Sequence, residues 1–121
     1  MSKMKLQNIK EGKLVEVSET RDWYAWINLM PPAPYMFHVI GEVQVPNLGV
    51  KAFLVPRVPQ GFNPAILLMD LILVQKPGYW PQVTTWVEAR YDKVVQDSLY
   101  ESVEIFSGSD SVTSVNVEEV Q

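Results

Sequence analysis

Apolar and polar side chains alternate with a period of two along residues 37–45. Phe37, Val39, Gly41, Val43 and Val45 fall on one side; His38, Ile40, Glu42 and Gln44 fall on the other. Successive side chains of a strand point to opposite faces, so this pattern predicts a strand with one buried and one wet face. Residues 83–91 repeat it, with Val83, Thr85, Val87, Ala89 and Tyr91 opposed to Thr84, Trp86, Glu88 and Arg90. Residues 65–75 are apolar on both sides except at Asp70, which predicts a central strand covered on both faces. Nine prolines scattered through the 121 residues argue against any long helix.

Counting such runs predicts strands at 13–18, 23–30, 36–45, 49–56, 65–75, 82–95, 100–106 and 112–118, with residues 91–100 read as strand plus loop. The expected fold is therefore all-β: an antiparallel two-sheet sandwich, immunoglobulin-like in architecture, with a small β-barrel as the alternative. Turn chemistry supports the count. Residues 46–49 (PNLG) suit a four-residue hairpin loop, and Pro77-Gly78 carries a type II turn signature. Residues 107–110 (SGSD) suit a last hairpin. Residues 31–34 (PPAP) cannot donate ladder hydrogen bonds and are expected to cross between sheets.

The charge is uneven. Ten basic against 14 acidic residues give −4 in all, which disfavours a general grip on nucleic acid or anionic lipid. Residues 1–13 hold four lysines and one glutamate, whereas residues 86–121 hold eight acids against Arg90 and Lys93. Residues 1–12 are read as a flexible basic arm and residues 13–121 as a single β domain. Zero cysteines exclude disulfides, thiolate metal sites and thiol nucleophiles. The lysine-bearing N-terminus lacks an apolar run behind it, so no signal peptide is expected. No stretch reaches the roughly 20 apolar residues of a membrane helix. A soluble, cytoplasmic protein without a cofactor is the expectation.

Few residues point to chemistry. His38 is the only histidine, with Glu42 four residues along the same face as an orienting carboxylate. No Gly-x-Ser-x-Gly elbow presents a nucleophile, and no glycine-rich phosphate loop occurs. Asp70 interrupts the most apolar run, where a carboxylate needs a partner; Arg57 and Arg90 are the candidates, a ligand-facing role the alternative. Residues 57–64 combine Arg57, Gln60, Phe62 and Asn63 in one prolyl loop, either a rigid turn or part of a binding site.

The aromatic residues carry the functional expectation. Trp23, Tyr24 and Trp26 share one run; Tyr79 and Trp80 follow the Pro-Gly turn; Trp86 falls on the polar face of its strand, with Arg90 two pleats along. A large ring among polar neighbours offers contact area at small entropic cost. The candidate binding residues are Trp86, Trp80, Tyr79, Arg90, Arg57 and Phe62. They suggest a non-catalytic interaction or assembly domain that takes a protein partner or a second copy. A carbohydrate- or small-ligand-binding module is the alternative; no catalytic or metal set can be assembled.

Overall fold

The computed structural model describes residues 12–97 and 100–121. The expected basic arm therefore lies, except for Gly12, outside the described residues. Eight strands and no helix make up the described residues: β1 (Lys13–Val15), β2 (Thr20–Asn28), β3 (Tyr35–Val45), β4 (Val50–Pro56), β5 (Ile66–Gln75), β6 (Thr85–Val95), β7 (Ser102–Ser107) and β8 (Asp110–Val120).

These strands form one strongly curled mixed sheet in the order β1-β5-β7-β8-β2-β3-β6, with β4 on the remaining edge of β5. On that strand, β4 pairs along Met69–Gln75, while β7 and β1 share the opposite edge. The expected antiparallel sandwich of two separate sheets is replaced by this continuous order, for a specific reason. β8 bonds to β7 through Asp110–Asn116 and then to β2 through Val117–Val120, so the ladder passes from one half to the other without a break. Two pairings, β2 with β8 and β5 with β7, are parallel. The barrel alternative fits in part: β4 and β6 approach each other across the curl, but no ladder joins them.

Two connections exchange the roles expected of them. The proline segment after β2 joins neighbours, because β2 and β3 pair antiparallel up to Asn28 opposite Met36. Prolines end a ladder, but an ended ladder can close in a loop as readily as it can cross over. Residues 46–49, expected as a hairpin, instead carry the chain from β3 to β4, two strands that do not pair. Buried Asn47 builds that corner. Its Oδ1 accepts from the Gly49 amide at 2.8 Å, and its amide exchanges hydrogen bonds of 2.7 and 3.0 Å with Gln75 at the end of β5. The last hairpin forms as expected around Gly108, whose φ of 62° suits a two-residue loop.

The core follows the alternation. Phe37, Val39, Val43 and Val45 of β3, and Leu67, Met69, Leu71 and Leu73 of β5, are buried with Val103 and Ile105 of β7. Val87 and Val115 pack against this core half-buried. A bulge in β2 completes the inward face: Asp22 (φ 56°) and Trp23 together oppose Gly41 alone. Trp23 lies flat over Gly41, where a Cβ would fall inside its indole ring.

Candidate functional site

The bulge decides which side chains of β2 face outward. Arg21 opposes Glu42 before it and Tyr24 opposes Ile40 after it, so Arg21, Tyr24 and Trp26 all project from the convex face. With their neighbours they form cross-strand rows over β8, β2, β3 and β6. One row is Glu118, Trp26, His38 and Asp92; the next, toward the strand ends, is Val120, Asn28, Met36 and Val94. Directly opposed side chains on one sheet face stand about 5 Å apart, close enough to touch.

They do touch. Tyr24 stacks on Trp26 with ring centroids 5.0 Å apart and 28° between planes, and Trp26 lies 4.8 Å from the His38 ring. His38 Nδ1 meets Asp92 Oδ1 at 2.5 Å, and Arg90 Nε donates to both oxygens of the same carboxylate at 3.2 and 2.9 Å. The Tyr24 hydroxyl donates to Glu118 at 2.6 Å. These contacts have electrostatic consequences. The Arg90 guanidinium, and then His38, hold the Asp92 carboxyl below the usual carboxylate range. Glu118, which accepts the Tyr24 proton, holds that phenol above its ordinary value.

Glu42 is not the carboxylate that orients His38. It sits four residues along the same strand and pairs with Arg21 at 3.3 Å, whereas Asp92 stands directly across on β6. His38 thus has an orienting acid, but the only hydrogen bond of its ring among the described residues is to that acid. The hydroxyl nearest in the stack, that of Tyr24, is committed to Glu118. No group of three side chains suited to hold a metal occurs among the described residues.

The six residues singled out from sequence divide among three places. Trp86 and Arg90 lie on the outward face of β6, within the array just described. Trp86 is half-buried and not bare: the Arg21 guanidinium lies 3.8 Å from its ring centroid. Trp80 and Tyr79 belong to the β5–β6 connection. Trp80 covers Gly49 and donates to the Lys76 carbonyl at 3.1 Å, while Tyr79 is almost wholly exposed.

Arg57 and Phe62 belong to the loop after β4, and the contacts of Arg57 stay in that half of the sheet. Arg57 reaches Asp70 at 3.5 Å, the expected partnership, lies over Phe106, and donates to the Gly108 carbonyl at 2.9 Å. Gln60 bonds to both the amide and the carbonyl of Leu68, each at 2.8 Å, extending the ladder past Pro56 with a side chain. Asn63 caps Ala65 at 3.0 Å. The loop's polar groups are thus engaged by its own chain, and Phe62 is left fully exposed.

Sequence reasoning noted the aromatic run of β2 without selecting Tyr24, Trp26 and His38. The missing signal was the two-residue bulge, which no local composition announces. No protein-family model matches this chain, and neither a curated protein nor a solved structure was found to match it.

Proposed function

We propose that this domain is a non-catalytic interaction and assembly module whose docking surface is the convex face of β8, β2, β3 and β6. One observation carries the reading: the exposed apolar row of Val120, Met36 and Val94 runs directly beside the stacked row of Trp26 and His38. Aromatic residues, Met and Arg are enriched at protein interfaces, and a few such anchors hold most of the binding energy. Trp86 and Arg90 extend the same face.

The carbohydrate alternative is less well supported by the ring geometry. A sugar stacks on an open ring face. Here Tyr24, Trp26 and His38 shield one another's faces, and Arg21 covers Trp86.

Met36→Asp places a charge in the exposed row without touching the core. Sedimentation velocity should show concentration-dependent association of the native chain, weakened more than tenfold in this variant at an unchanged thermal midpoint. A strictly monomeric native chain that binds a glycan array, with binding lost in Trp26→Ala, would replace this reading with the carbohydrate one.

A further inference from the structure

Lysines cluster around Gln75 at one end of the curled sheet, and carboxylates cluster at the other. At one end Lys13 stands opposite Gln75, Lys51 opposite the adjacent Val74, and Lys76 donates its backbone amide to the Gly49 carbonyl at 2.8 Å. None of the three lysines pairs with a carboxylate among the described residues. Between Glu42 and Glu88 the sequence holds a single acid, Asp70, which is beside Arg57. Acids border this cluster on the side of the β1–β2 connection: Glu16 lines a cleft of about 480 Å³ with Gln44 and Pro46, the Glu19 carbonyl accepts the Gln44 amide at 2.9 Å, and Asp110 lines a second cleft with Val17 and Ser18. Among the lysines, Leu14 (67% exposed), Leu48 (71%) and Tyr79 (96%) face solvent.

At the other end Met30, Met36, Val94 and Val120 are exposed apolar groups beside one another on β2, β3, β6 and β8 or just past them. Glu118 lies one row behind them, Asp97 just past β6, and Glu101 accepts the Val117 amide at 2.8 Å. The one lysine there, Lys93, is turned to the Tyr100 hydroxyl. β3 runs between the ends, ten steps from Tyr35 to Val45, or about 33 Å at the usual strand rise. One molecule cannot bring the two patches together.

We propose that copies of this chain associate head to tail, the lysine-bearing end at Gln75 docking on the acidic apolar end at Met36 of the next molecule. The proposal rests on the assembly reading above and names its partner, a second copy. Each patch offers exposed apolar groups, and their charges are complementary. Two different patches on opposite ends make a heterologous contact, which repeats along a row of molecules rather than closing on itself. An extended anionic surface is the weaker match, because the net charge of −4 opposes adsorption of the whole molecule.

The test uses the full chain and two double variants at exposed positions, Lys51→Glu with Lys76→Glu and Asp97→Lys with Glu101→Lys. Sedimentation velocity should show a series of oligomers for the native chain, dissolving as salt rises. Each double variant should associate at least tenfold more weakly, and an equimolar mixture of the two should regain association. If either variant fails to fold, Lys51→Gln with Lys76→Gln and the native salt titration give the same comparison.

Native-like association of the lysine variant alongside loss in Met36→Asp would overturn the head-to-tail arrangement and leave the assembly reading standing. Association unchanged in both would remove both. A monomeric native chain that binds phosphatidylserine vesicles, with binding lost on lysine reversal, would reassign this end to anionic lipid.

Discussion

Asp92 stands where side chains of β3 and β6 meet, taking the His38 ring on one side and the Arg90 Nε–H on the other. Because its folded carboxyl titrates below the unfolded value, its contribution to stability is present above the ordinary carboxylate pKa, near 3.9. It is lost as pH falls through the folded value. Asp92→Asn should therefore lower the thermal midpoint at neutral pH, and the gap should close below about pH 4. A gap that persists at pH 2 would mean that shape, not charge, explains the loss. Residue types alone do not reveal this centre. Asp92 and His38 are 54 positions apart in sequence, and only the β3–β6 register brings them together. The Arg57–Asp70 pair was easier to read, since a carboxylate in an apolar strand demands a cation and few were near.

At the scale of elements, strands and connections were unequally readable. Period-two alternation located β3 to within a residue, because the pattern reports directly which face is buried, and an apolar run interrupted only by Asp70 located β5 as closely. Connections depend on which strands pair, and pairing is a relation between distant segments. Residues 31–34 and 46–49 thus exchanged roles even though their turn chemistry was plain. The β2 bulge escaped for a related reason: Trp23 takes the inward place only because Gly41, on the next strand, leaves room for an indole. The β3–β4 corner supplies the test at this scale. Asn47→Ala strands the Gln75 amide and the Gly49 N–H in a buried corner, which costs about 1–3 kcal/mol. Urea denaturation should show that loss; a change under about 0.5 kcal/mol would mean that water replaces the side chain.

For the whole molecule, the unclosed edge between β4 and β6 sets the pattern of backbone protection. β3 and β5 have ladder partners on both sides, whereas β4 and β6 each have one. Amide exchange should be slowest in β3 and β5, with alternate amides of β6 exchanging faster where they point away from β3. Uniform protection along β4 and β6 would show that a ladder closes the barrel in solution.

β8 couples the halves in a way that bears on how the molecule is made. Its bonds to β2 join Ala25 with Val117, residues near opposite ends of the chain. During synthesis β2, β3, β5 and β6 precede that partner, and β7 comes immediately before it. The β2–β3–β6 half can begin to pair first, and the strand that unites the two halves is the last of the eight described to be made. Until it is, the β2 edge it will cover stays open to any other strand.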